Sequence, residues 1–584
     1  MNKKVMSLLL CLTMVLTFTV GCGSKKEAGS GNVDSNGKYK DFITVDVFDS
    51  QANYQGIQSG WFGEIVKNKF NMELNIIAPN VAGGGDTLFQ TRSAAGNLGD
   101  LIITGSNNGR LQDLITAGLI IDMADLMKGK ENINQYQHAI EYTNSIVKEE
   151  GMWAIPSEVS ALAPTTPSEG LDLTFGPYLR WDIYKSIGYP KMSTLEDLLP
   201  VLKKMQETAA TSDSGKKAYA LSFFKDWDGN MMNNAKQPTC LYGYDELGFV
   251  LAKADGSDYQ SIIDDDSIYI RVLKFFFDAN QMGLVDPEST TQNYDALYAK
   301  YQDGGILYSP WPWLGQSAYN TTAHKEAGKG FMIAPIEDMN IFSYGCNTNG
   351  NANNCMMIGS KAKDPERLAD FIDWLYSPEG VTMSAQQTSG TCGPEGLTWE
   401  MKDGKAELTE FGKVALLDGD ATVPDEWGGG SWKDGVSALN YKALATIDIH
   451  PVANVPYNYT LWDSVLELNQ TDLDLDWQEK MGAKTTLEYL EEKDMVMVAP
   501  GSGYIEPEES TEIATLRGQC KAVIVDNSWK MIFAKDEAEF NSLLKTMQET
   551  VIGLGYDKVL RVDMQNSKDK DSARKSAVAA FEAK

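Results

Sequence analysis

Histidine, basic charge and recognisable catalytic motifs are what this 584-residue chain has least of. Its three histidines, His138, His324 and His450, share no H-E-x-x-H or other metal-ligating spacing, so no metal is expected. G-x-S-x-G, Walker A and strand-linked G-x-G-x-x-G segments are absent, and with them any nucleophile elbow, phosphate loop or expected cofactor. The 51 Lys+Arg face 81 Asp+Glu, a formal net charge of −30. That balance excludes nucleic acid, whose binding depends on clustered cations that displace counterions. No 20–50-residue repeat is present, which argues against a solenoid. After Val20 no run is long and apolar enough to span a bilayer. With 81 acids, some carboxylate pair at a glycosidase separation is unavoidable, but nothing marks a particular one.

What is present begins at the N-terminus. Lys3 and Lys4 precede the apolar run Val5–Val20, which is short for a membrane span and fits a signal-peptide core. Thr19-Val20-Gly21-Cys22 resembles a bacterial lipobox, with Cys22 as the lipidated residue and 1–21 as the signal peptide. Residues 22–39 are rich in Gly, Ser and Lys, the composition of a flexible tether. Losing Lys3 and Lys4 and no acid takes the charge from −30 to −32. Two or more acyl chains would hold such a body firmly at the membrane. Cys240, Cys346, Cys355, Cys392 and Cys520 remain, with no C-x-x-C among them. A Cys346–Cys355 disulfide is one reading, and buried thiols are the favoured one.

The body reads as α/β. Ile43 to Phe48 alternates like a strand, Trp61, Phe62, Ile65, Val66 and Phe70 follow at helical spacing, and Met72–Ala78 and Leu101–Ile103 are further strands. Such alternation predicts a mostly parallel sheet covered by helices. Asp364-Pro365 starts a helix with Leu368, Phe371, Ile372 and Leu375 inward, and Asp536 starts another with Phe540, Leu543, Met547 and Val551 inward.

Several segments in order carry a family resemblance. Ala94–Ile102 resembles an "sGelPDi" segment, Leu111–Leu126 an "l.dli..Gli.dltdl" run, and Gly151–Pro156 a "GkvyGiP" motif. Tyr178–Tyr184 is similar to "l.iRkDwldk", Gly283–Glu288 to "GLidPE" and Gly393–Gly396 to "yGieG". Their succession over about residues 40–565 resembles the extracellular solute-binding proteins of ABC importers, family 1, in the long lipoprotein branch that takes oligosaccharides.

The resemblance implies a type II periplasmic-binding-protein fold: two lobes, each a mostly parallel sheet flanked by helices, with a cleft between them. It implies an N-lobe from 40–160, a C-lobe from 161–345, a return to the N-lobe over 346–395, and 396–584 mainly in the C-lobe and C-terminal helices. Crossings are expected at Gly151–Ser160 and Ile341–Met357. Some relatives carry a calcium loop, but Asp213-Ser214-Gly215-Lys216-Lys217 lacks its closing acids. Asp472-Leu473-Asp474-Leu475-Asp476 lacks the Gly and closing Glu of an EF-hand and reads as an acidic surface run.

A neutral sugar presents hydroxyls and flat C–H faces, so its site needs aromatic platforms with planar donors and acceptors. Candidate ligand contacts are Asn53 and Tyr54 in the first strand-to-helix loop, Trp61, Asp100, Ser106 and Asn107 around the third strand, Trp311 and Trp313 in the C-lobe, and Trp427 and Trp432 flanking Gly428–Ser431. The reading is a monomeric, lipid-anchored receptor on the outer face of the bacterial cytoplasmic membrane. It captures an oligosaccharide without covalent chemistry and hands it to the transmembrane subunits of an ABC permease. The alternative is an anchored polysaccharide-processing enzyme or glycan-adhesion module.

Overall fold

The computed structural model describes residues 38–79, 81, 85–384, 390–418, 421–468 and 470–583. The signal peptide, Cys22 and most of the tether lie outside the described residues. Strands β1 (Ile43–Asp49), β2 (Gly56–Ile57), β3 (Met72–Ile77), β4 (Leu101–Thr104) and β5 (Ile155–Ser157) open the chain. Then come β6 (Tyr178–Arg180), β7 (Tyr308–Ser309), β8 (Phe331–Ile333), β9 (Ile341–Tyr344), β10 (Asn351–Ile358) and β11 (Val496–Ala499). The helices that matter below are α1 (Gly60–Phe70), α2 (Ile268–Gln281), α3 (Pro312–Tyr319), α4 (Pro365–Leu375), α5 (Thr511–Ile532) and α6 (Glu537–Leu554).

The N-lobe sheet has the order β2-β3-β1-β4-β10-β5. β1 is parallel to both β3 and β4, while β10 runs antiparallel to β4 and β5. Val45, Val47, Leu74, Ile76, Leu101 and Ile103 are buried between helices, as continuous apolar strands in a covered sheet require. α1 and α4 close one face through Phe62, Phe70, Phe371 and Trp374. Asp364 caps α4 by accepting from the Arg367 N–H, and Pro365 fills the first helical position.

The C-lobe sheet differs from the expectation. It has the order β7-β6-β8, and β6 is antiparallel to both neighbours. β8 runs back toward the hinge strand β9 that closely follows it, so it cannot share β6's direction. Beside this sheet, Tyr219 with Ile306 and Leu221 with Val285 form single parallel bridges. α2 and α5 pack on this core through Phe276, Phe277, Ile524 and Trp529.

Residues 396–457 also depart from the expected division. Leu397, Ala415, Val423, Trp432, Leu439, Tyr441 and Leu444 are buried in the N-lobe core, and the chain rejoins the C-lobe core only at Leu473. Trp432 stacks on Trp61 with ring centroids 4.7 Å apart and planes 6° apart, and the Trp61 Nε1–H donates to the Trp432 carbonyl. Both indoles are buried, so neither offers a face to a ligand. The glycines beside Trp432 let the chain turn back and seat the ring inward.

The lobes meet where three segments pack together. β9 and β11 form a parallel pair, and the Gly345 N–H donates to the Ala499 carbonyl. Residues 164–168 lie against them: Ser168 N–H donates to Tyr344 O and Cys346 N–H to Thr166 O. A β-carbon on Gly345 would overlap the Pro164 carbonyl, and one on Gly501 would overlap the Cys346 carbonyl. The first crossing thus follows Ser160, beyond the expected Gly151–Ser160, because β5 belongs to the N-lobe sheet. Cys346 and Cys355 are free and buried in this region.

Trp432→Ala is expected to destabilise the protein by about 3–5 kcal/mol, the usual cost of emptying a buried aromatic position. Urea denaturation of the ligand-free protein measures it, and an unchanged midpoint contradicts the core assignment.

Candidate functional site

Ligands of open α/β sheets bind beyond the carboxyl ends of the strands. At the end of β1 the Asp49 carboxylate is fully buried and accepts from the Asn440 N–H at 2.8 Å and the Gln51 N–H at 3.2 Å. Burial pushes its pKa up to about 6, against the pull of those backbone donors. Asn440 donates onward to Gln51 O, and Asn354 Nδ2 donates to Asn440 O. The carboxylate therefore holds the loop that exposes Gln51, Asn53 and Tyr54 at this edge.

The C-lobe contributes an aromatic wall. After β7 the chain turns at Pro310, and Trp311 and Trp313 stack with centroids 4.6 Å apart. Trp227 lies 5.7 Å from Trp313 and stacks on Tyr294 at 4.7 Å, with Phe224 edge-on behind it. Trp311 is 4% exposed and backs the wall, whereas Trp227 at 45% and Trp313 at 36% present their faces. Large exposed indoles supported from behind are rigid apolar platforms.

Amides surround the wall. Asn233 N–H donates to the Asp228 carboxylate one residue from Trp227, and Gln237 Nε2 donates to the Asn233 side chain. Gln292 donates to Ser222 Oγ and Phe223 O beside the same rings. Asn233 Nδ2, Gln237 Oε1 and Gln292 Oε1 are buried and have no partner among the described residues. Toward the hinge, Lys236 pairs with Asp245 and lies over the Phe175 ring. Burial works against the Lys236 charge, but the Asp245 carboxylate overrides it and keeps the pKa above the ordinary lysine value.

The expected site residues scatter around this arrangement. Trp313 is exposed on the wall and Trp311 stands behind it. Asn53 and Tyr54 are exposed at the β1 edge, with the Tyr54 hydroxyl donating to Ile57 O. Asn107 is half-buried beyond β4, while the neighbouring Ser106 hydroxyl is spent on Ala352 O. Asp100 sits at the opposite end of β4, buried and fixed by the Asp46 N–H, the Lys363 N–H and the Lys363 ammonium, so it is a structural turn. Trp61 and Trp432 are core. Trp427 is half-buried beside α1, in a groove with Glu64, Trp374 and His450 away from the strand ends.

Trp227 and Tyr294 went unrecognised in the sequence. An indole inside the charged turn Lys225-Asp226-Trp227-Asp228-Gly229 is the signal that could have found the first. The acidic run is no free surface: Asp474 pairs with Lys325, and Asp476 accepts from Trp181 Nε1 and Tyr189. In the shortened calcium-like loop, Asp303 accepts from Ser212 and Ser214, and Asp213 from the Tyr319 hydroxyl. Among the described residues no three His, Cys, Asp or Glu side chains are grouped to hold a metal ion.

Asp49 gives a pH test of the strand-end assignment. Its folded pKa lies above the unfolded value, so it favours folding fully only below about pH 4, and that contribution is lost as pH rises through about 6. Wild-type stability measured by urea melts is expected to fall by about 2–3 kcal/mol relative to Asp49→Asn across that window. A pH-independent difference contradicts it.

No family model and no curated protein matches the chain. Solved structures do. A Streptococcus pneumoniae ABC-transporter substrate-binding protein, FusA, solved with kestose, aligns at a TM-score of 0.59 and 15% identity, covering 91% of this chain and 99% of that one. A solute-binding protein from Bifidobacterium longum infantis, described as binding HMO, gives 0.53 at 11% identity over 90% and 99%. The N-glycan transport solute-binding protein NgtS of S. pneumoniae gives 0.53 at 13% identity over 91% and 99%. The chain has the two-lobed α/β fold of ABC-transporter solute-binding proteins.

Proposed function

We propose that this protein is the extracytoplasmic receptor of an ABC importer, capturing an oligosaccharide between its lobes and delivering it unreacted to the permease subunits. The observation that carries the reading is the wall of Trp227, Trp311, Trp313 and Tyr294, with two indole faces exposed and buried carboxamides at its edge. Sugar rings stack on such faces, and their hydroxyls satisfy amides that are otherwise costly to bury. Asn53, Tyr54 and Asn107 meet the ligand from the N-lobe side, and movement about the packed β9–β11 hinge closes the lobes on it. The fold likeness to sugar-binding transport proteins supports this role.

The same proposal places the protein as a monomer on the outer face of the bacterial cytoplasmic membrane, held by a lipid on Cys22. The apolar Val5–Val20 run and the Thr19–Cys22 segment support the anchor.

Trp227→Ala and Trp313→Ala are each expected to weaken saccharide binding at least tenfold, about 1.4 kcal/mol, while shifting the melting temperature of ligand-free protein little. Calorimetric titration with the saccharide giving the largest thermal shift measures this, and unchanged affinity in both variants overturns the site. Cys22→Ser is expected to release the protein from membranes without altering saccharide affinity; continued membrane retention on fractionation contradicts the anchor.

A further inference from the structure

The chain ties the lobes together a second time, away from the hinge. After β11 and Gly501, residues 502–508 have no regular structure and lie on the N-lobe. The Ser502 carbonyl accepts from Asn349 Nδ2 at 2.9 Å, and a β-carbon on Gly503 would stand 2.9 Å from Asn349 Cβ and 3.2 Å from the Tyr142 ring. Ile505 packs on the apolar cluster of Phe48, Ile102, Leu111 and Trp153, on the face of the N-lobe sheet opposite α1 and α4. A β-carbon on Gly109 would stand 3.1 Å from the Glu508 carboxylate, so the segment runs beside the loop that follows β4 and carries Asn107.

One residue further on, the chain belongs to the C-lobe. Glu509 accepts from Arg517 Nε at 2.8 Å and from its Nη2. Arg517 lies on α5 and donates to Asp563 at 3.0 and 2.6 Å. Asp563 is 1% exposed and accepts the Phe249 N–H at 2.7 Å, in a notch that a β-carbon on Gly248 would fill. A charge-assisted pair set in a buried network holds far better than an exposed surface pair.

Between the seat of Ile505 and the Arg517 anchor stand only Glu506, Pro507 and Glu508, all exposed. Four residue steps span at most about 14 Å when fully extended, and Pro507 fixes one of the backbone angles. Opening the lobes at the strand-end edge draws the two attachments apart, and beyond that span one of them must break. We infer that residues 503–509 are a strap that caps the opening of the lobes and holds the ligand-free protein near its binding-competent geometry. The inference rests on the lobe movement of the reading above and uses no residue of the aromatic wall.

Small-angle X-ray scattering of the full chain without ligand tests it. Inserting Gly-Ser-Gly-Ser between Pro507 and Glu508 lengthens the strap and removes no contact. Glu509→Ala frees its C-lobe end and leaves the Arg517–Asp563 pair in place. Both are expected to raise the ligand-free radius of gyration, while the same insertion between Asp403 and Gly404, in the exposed turn of the Trp399–Leu408 hairpin, leaves it unchanged. Circular dichroism melts confirm that all three variants fold. In calorimetric titration with the saccharide giving the largest thermal shift, Kd is expected to rise about threefold or more in both strap variants, because a smaller fraction of the free protein is competent to bind. A ligand-free radius unchanged in both strap variants, or raised equally by the control insertion, overturns the strap and leaves the receptor reading intact. A larger radius with an unchanged Kd overturns its part in binding. Absence of binding by every saccharide overturns the receptor reading, while the scattering comparison still decides the strap.

Discussion

Everything about this molecule's geometry depends on the close approach of three chain segments at Gly345 and Gly501. The carbonyls of Pro164, Ala499 and Cys346 occupy the space any β-carbon would need, so the segments 164–168, 344–347 and 499–502 lie backbone against backbone. Hydrogen bonds across them tie the end of the N-lobe sheet to the start of the C-lobe sheet. This packing sets where β1 and β4 end relative to the turn after β7. The aromatic wall and the polar strand ends owe their relative placement to it.

On that frame the two lobes divide the chemistry. The C-lobe offers rigid apolar area, because Trp311, Tyr294 and Phe224 brace the exposed Trp227 and Trp313 from behind. The N-lobe offers polar groups on a loop held by the buried Asp49 carboxylate. Near the hinge the Lys236 charge is paired with the Asp245 carboxylate. A neutral polyhydroxylated chain suits both halves.

Much of the N-lobe could be read in advance because its signals are local. Alternation in Ile43–Phe48, the apolar stripe of α1 and the Asp364-Pro365 cap each act within a few residues, and each formed the element it predicts. Trp311 and Trp313 were legible as candidate contacts in the C-lobe, but which ring faces outward depends on Trp227, some 80 residues away. Trp432 was misread because flanking glycines suggest exposure, whereas its stack on Trp61 is a contact across 371 residues that no local pattern records. Asp100 reads equally as a structural turn or a ligand contact for a related reason, and the structure makes it the turn: a sequence shows that a polar residue adjoins a strand, but not which end of the sheet faces the other lobe. The assignment of 396–457 failed likewise, since those apolar residues pack equally well in principle on either core.

The central claim is that the lobes close on an uncut saccharide, and small-angle X-ray scattering with recovery of the ligand tests it most directly. With the saccharide that most stabilises the protein, the radius of gyration is predicted to fall and the interlobe distance distribution to narrow, and chromatography should return the saccharide at its original length. Scattering profiles that superpose with and without a bound saccharide, or a saccharide recovered as fragments, would contradict the account.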